Sequence, residues 1–204
     1  MMYAQTPIAE KGFTLVETLV AVTILLLVIT GPLTISMSTA RSTEFASEQV
    51  VAFFLAQEGA ELAQKARDEI MLPGLASSVN NWNNFANHAG VGVGSGLFLS
   101  PCYLGTGCGL EVNKDANGTL TVKDCGVSAT TCLLSYNSGA VRSPYTYSTG
   151  IGTTPTKYTR TIYFEKGAGD YDVKVTSKVT WRTGNLRQEQ KVVVETFLFD
   201  IYDN

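Results

Sequence analysis

Few residues in this chain have the type and spacing to do chemistry, and the most informative is a carboxylate in apolar surroundings. Glu17 is the single ionisable residue in FTLVETLVAVTILLLVITGPL, the run from Phe13 to Leu33. An acidic side chain at the centre of a membrane-spanning helix costs about 2.5–3.5 kcal/mol and usually has a partner. Glu17 stands about one helical turn into the run, nearer an interface, so its cost in a bilayer is smaller. Deeper burial would call for a cation beside it. The second set is four cysteines, Cys102, Cys108, Cys125 and Cys132, at intervals C-x5-C and C-x6-C. Neither interval has the two-to-four-residue spacing of structural zinc sites. An even count in a loop-rich, exported region reads as disulfides with three connectivities open. The local pairs Cys102–Cys108 and Cys125–Cys132 are favoured because each closes a small loop.

Catalytic constellations are not found. The lone histidine, His88, lies in an Asn/Gly-rich stretch, and no G-x-S-x-G, H-E-x-x-H or G-x-x-x-x-G-K occurs. Gly90, Gly92, Gly94 and Gly96 precede neither a helical pattern nor a Lys-Ser/Thr pair, so they read as loop. Acidic residues are sparse and no pair has a context for acid/base work. An enzyme is not expected. The formal net charge is −3, with Lys and Arg scattered, whereas nucleic-acid binding needs a concentrated basic face.

The elements that position these residues follow from patterning. Residues 1–12 are polar and end in Lys11-Gly12. The apolar run that follows is long enough to cross a bilayer, which takes about 20 residues, and no charge occurs from Thr18 to Ala40. Beyond Gly31-Pro32, a kink or a weak point in the helix, a helical period continues. Ala40, Phe45, Val50, Val51, Phe54, Leu55, Leu62, Ala63, Ala66 and Ile70 form its apolar stripe, with Glu48, Gln57, Glu58 and Glu61 among the polar residues between them. Pro73-Gly74 ends it. Gly59 is either a mild cost or a close-packing point.

Residues 73 to about 157 are rich in Gly, Ser, Thr and Asn. Asn80-Asn81-Trp82-Asn83-Asn84-Phe85 reads as aromatic side chains pinning a polar loop, or as a sugar-contacting surface. Leu110–Val122 reads as a hairpin turning at Asn117-Gly118. No cofactor is expected; Asp115 and Asn117 resemble a calcium loop but depart from the EF-hand pattern. Lys157–Glu165, Tyr171–Arg182 and Leu186–Asp200 are strand candidates. In the middle one, Val173, Val175, Val179 and Trp181 alternate with polar residues, as in a half-buried antiparallel strand. The faces of the last are not assignable, because Val192-Val193-Val194 breaks its alternation. The fold expected is α+β: a long N-terminal helix against a C-terminal antiparallel meander of three or four strands.

Lys11-Gly12-Phe13-Thr14-Leu15-Val16-Glu17 resembles the processing motif of type IV prepilins and type II secretion pseudopilins, strongly over residues 11–41 and elsewhere only in general shape. The resemblance implies cleavage after Gly12 by a prepilin peptidase and methylation of the new N-terminus at Phe13. It also implies a filament in which Glu17 meets the Phe13 amine of a neighbouring subunit. The organisation implied is a leader (1–12), a transmembrane segment (13–33), an amphipathic stem (34–72) and a head (73–204), the head comprising a disulfide-bearing loop region (73–157) and a sheet (158–200). The partners implied are other pilin subunits, the peptidase, an inner-membrane assembly platform and membrane lipid. The implied location is the inner membrane, single-pass with the head outside the cytoplasm, and then an extracellular or periplasmic filament. A minor pilin or pseudopilin is the leading role, and a surface adhesin on a pilin stem the alternative. Some pseudopilins hold calcium in a loop. Two departures stand out: the leader has Glu10 beside its single Lys11, and Pro32 falls two residues before the usual proline position, here Thr34. A secretory signal cleaved near Ser38-Thr39-Ala40 is the rival reading, but the run exceeds an ordinary signal core and holds a carboxylate.

Overall fold

A computed structural model of the chain describes residues 12–72, 81–86, 98–112, 118–126, 131–140, 143–169, 171–184 and 188–201. The chain falls into two compact units, Met1–Ala46 and Ser47–Asn204. Helix α1, Leu15–Met71, is one element of 57 residues with Pro32 inside it, so the helix is not divided at Gly31-Pro32.

In the first unit, α1 presents apolar side chains all round, every one of them exposed from Leu15 to Glu44. Its threonines turn their hydroxyls back onto the helix. Thr18, Thr23 and Thr34 donate to Leu15, Val20 and Gly31 carbonyls at 2.8 Å each, and Thr39 to Ile35 at 3.0 Å. A hydroxyl satisfied in this way can face lipid without a lost hydrogen bond.

The second unit packs α1 from Glu48 to Met71 against a seven-stranded antiparallel sheet. The strands are β1 (Cys108–Val112), β2 (Leu120–Asp124), β3 (Leu133–Asn137), β4 (Tyr145–Thr146), β5 (Thr153–Lys166), β6 (Asp172–Trp181) and β7 (Gln190–Phe199), and two short helices are α2 (Asn81–Ala86) and α3 (Ser100–Tyr103). Strand β5 is the spine. It pairs with β1 and β3 along one edge and with β6 along the other, and β7 lies beyond β6. The sheet is larger than the meander expected, because the Gly/Ser/Asn-rich stretch contributes β1 to β4. Strands of two to five residues are too short to show a period. The β1–β2 hairpin forms, with Val112 opposite Leu120 and Gly118 at φ +77°. Asp115 and Asn117, the calcium expectation, lie outside the described residues, as do His88 and the glycines at 90–96.

The stripe of α1 that meets the sheet differs from the one expected. The buried residues are Glu48, Ala52, Leu55, Ala56, Gly59, Ala60, Leu62, Ala63, Ala66, Ile70 and Met71, mostly small. Val50, Phe53 and Phe54 point outward instead. Small side chains bring the helix axis close to the sheet, and Gly59 is the closest point. A Cβ there would stand 2.3 Å from Ser177 Oγ on β6. Strand β6 alternates as expected, with Val173, Val175, Ser177, Val179 and Trp181 buried. The core is completed by α2, whose Trp82 and Phe85 rings lie 5.5 Å apart, with Phe85 5.7 Å from Phe164. Both α2 rings are buried, so they pin this segment and offer no sugar-contacting surface. Disulfides join Cys102 of α3 to Cys108 of β1, and Cys125 to Cys132 across the β2–β3 connection.

Candidate processing and assembly site

Gly12, Phe13 and Thr14 form no regular structure, and α1 begins at Leu15. No described residue lies within 4 Å of the place a Cβ on Gly12 would take, so packing within the chain does not demand glycine there. Thr14 is a residue the sequence reading passed over. Its Oγ1 accepts a hydrogen bond from the Glu17 amide at 3.3 Å, and its carbonyl takes the first helical bond from the Thr18 amide at 3.2 Å. Thr14-Leu15-Val16-Glu17 thus has the spacing of a capping box, with the carboxylate in the first turn where the helix dipole favours negative charge. The signal, a threonine three residues before a glutamate at the head of an apolar run, was present in the sequence. Phe13, Thr14 and Glu17 are all exposed, and so is the whole uncharged face that follows. This N-terminal segment therefore presents a non-helical Gly-Phe bond, a capped carboxylate one turn later, and an unburied apolar helix long enough to cross a membrane.

A second set of groups fastens the stem half of α1 to the sheet, and it includes Glu48 and Glu58, two of the polar residues between the apolar ones of the helical pattern. Glu48 is buried; its carboxylate accepts from Trp181 Nε1 at 3.0 Å, from Thr183 Oγ1 and from Lys157 Nζ. Burial by itself would raise its pKa, but the Lys157, Thr183 and Trp181 bonds outweigh this and hold it below the ordinary value of 4.5. Arg160, on β5, is 1% exposed and donates from Nη1 to Glu58 Oε2 at 2.7 Å and to the Leu55 carbonyl at 3.3 Å. Its Nε bonds Tyr147 Oη at 2.9 Å and its Nη2 the Leu110 carbonyl at 3.1 Å. Burial opposes the guanidinium charge, yet Tyr147 and Glu58 leave its pKa raised. Glu48 sits on the same helical stripe as Ala52, Leu55 and Gly59, and that four-residue step was the overlooked signal. Arg160 carried none, since its partners lie 13 to 105 residues away. Among the described residues no group of His, Cys, Asp and Glu is placed to hold a metal ion.

An apolar, unburied N-terminal helix ahead of a sheet-backed stem defines a class of protein, one with a single-pass membrane anchor and an α+β head. Residues 9–31 match the family model described as the prokaryotic N-terminal methylation motif, the signature of type IV pilins and pseudopilins. Residues 9–31 thus carry the N-terminal signature of a type IV pilin-like precursor. No curated protein and no solved structure matches it.

Proposed function

We propose that this chain is a minor pilin or pseudopilin, a structural subunit of a type IV pilus or a type II secretion-like filament. Residues 1–12 serve as leader, 13–33 as membrane segment, 34–72 as stem and 73–204 as head. A prepilin peptidase cuts after Gly12, and Phe13 becomes the methylated N-terminus. An inner-membrane platform then draws the subunit from lipid into the filament, with the head outside the cytoplasm. The observation carrying this reading is Glu17, the single ionisable residue between Phe13 and Ala40, on a helix exposed throughout that span. Bundled with other copies, that helix would leave the carboxylate in a low-dielectric interior, where an unpaired charge costs several kcal/mol. The Phe13 amine of a neighbouring subunit supplies the counter-charge and fixes the axial register. An external recognition event also accounts for Gly12, which the chain's own packing does not require.

Two measurements test this. The mature protein should begin at Phe13 and carry one added methyl group; a start between Thr39 and Ser42 would favour secretory cleavage instead. Glu17→Ala should be processed normally but drop out of sheared filaments, and normal incorporation would remove the pairing role. The adhesin alternative loses its first support with the burial of Trp82 and Phe85.

A further inference from the structure

Among the described residues, strand β7 is a long strand paired on one side only over its whole length. It pairs with β6 alone, in an unbroken register from Asp172↔Phe199 to Trp181↔Gln190. A free edge of this length presents a row of amide and carbonyl groups to any second strand. Monomers blunt such edges with proline, a bulge, very short strands, a covering segment or charged side chains, and of these devices β7 shows the charges Lys191 and Glu195. β7 has no proline, keeps an unshifted register and runs for ten residues.

Its composition suits a strand with neighbours on both sides. Val192, Val194 and Leu198 point toward the α1 side, and Val193, Phe197 and Phe199 toward the other, where they are 44%, 53% and 54% exposed. The three consecutive valines that defeat a face assignment in the sequence are apolar on both faces, as in strands covered on both sides. Charge supplies the register. Lys191 and Glu195 flank Val193 two residues away on either side and share its outward face. Lys191 has no ion-pair partner among the described residues, while Glu195 is held by Lys174 at 2.7 Å.

We propose that a second copy of this chain pairs with the free edge of β7, antiparallel, about a two-fold axis through Val193. In that register Val193 faces itself, Val192 faces Val194 of the partner subunit, and Lys191 faces Glu195 of the partner subunit, twice over. The Glu195 carboxylate has two oxygens and holds Lys174 of its own chain together with Lys191 of the partner subunit. Registers centred on Lys191 or on Glu195 set like charges opposite one another and are rejected. The contact is isologous, so it closes at two copies and does not propagate. It does not depend on cleavage after Gly12 or on Glu17.

The test is cysteine cross-linking of the full chain in mild detergent. All four native cysteines are in disulfides, so Val193→Cys introduces a single free thiol. Under mild oxidation this variant should give a covalent dimer, whereas Thr121→Cys, exposed on the β2 edge, should not. Lys191→Glu in the Val193→Cys background turns both cross-strand pairs repulsive and should lower the dimer about tenfold. Adding Glu195→Lys recreates both cross-strand pairs and should recover part of the dimer, the remainder being lost with the Lys174–Glu195 pair. Mixed Lys191→Cys and Glu195→Cys chains should give the mixed dimer in excess of either like pair, which reads the register without touching Val193. Absence of the Val193→Cys dimer, an equal yield from Thr121→Cys, or indifference to Lys191→Glu each overturns the pairing. A dimer indifferent to charge but blocked by a foreign β-strand peptide would mean that the edge accepts other partners.

Discussion

Thr14 and Glu17 are three residues apart because one helical terminus needs both, an oxygen to accept the Glu17 amide and a carboxylate where the dipole is positive. The same side chain thereby serves the helix terminus of the single chain. Another pair of residues, Gly59 and Ser177, shows how closely the helix and sheet approach. Ser177 Oγ is buried without a hydrogen-bond partner in the described structure, and it occupies the space a Cβ on Gly59 would need. Gly59→Ala should therefore destabilise by about 1–3 kcal/mol through overpacking. Ser177→Ala should be neutral or stabilise by about 1 kcal/mol, because it removes an unpaired hydroxyl. The double variant should recover most of the Gly59→Ala loss, since the tightest contact, at 2.3 Å, is with the hydroxyl, while Arg160 Cδ and Ser177 Cβ stand at 3.2 and 3.3 Å. Thermal unfolding of the four proteins measures the coupling, and strict additivity would mean that the contact is not limiting.

Between elements, α1 is fastened at two levels, by Glu48 to β6, the segment after it and Lys157, and by Arg160 of β5 to Glu58. Glu48 has a folded-state pKa below 4.5. A carboxylate with a depressed folded pKa contributes its full stabilisation above the unfolded value and loses it as pH falls through the folded one. The chain should accordingly weaken below about pH 4.5, with Glu48 contributing part of the slope. Glu48→Gln should lower stability by about 1–2 kcal/mol at neutral pH, losing the Lys157 charge pair while keeping an acceptor for Trp181. It should also melt with a shallower acid dependence, which unfolding curves from about pH 7 to about pH 3 would reveal. An unchanged slope would assign the acid sensitivity to other carboxylates.

At the scale of the molecule, the large apolar side chains of the stem, Val50, Phe53 and Phe54, face away from the core; Phe54 is 63% exposed. Nothing in the fold of the second unit needs them there. Replacing both phenylalanines with serine should leave unfolding within about 0.5 kcal/mol of the parent, as expected for exposed sites. It should nevertheless reduce recovery in sheared filaments several-fold, because those rings are free to pack against other subunits. A large loss of stability would instead place them in the core.

How much was legible follows from the range of each interaction. The apolar span and the methylation motif around Gly12 and Glu17 are local patterns, readable because a membrane's thickness and a short motif both involve contiguous residues. The alternation of β6 is likewise local, and it identified a half-buried strand before any pairing was known. What only the tertiary structure decided is which side of the stem is inside. Both sides of the helix carry apolar residues, and the alanine side wins because it lets β6 come as close as Gly59 allows. The buried Glu48 and Arg160 were hidden for the same reason. A charge within the core is tolerable only beside partners distant in the chain, and those partners are brought to it by folding alone.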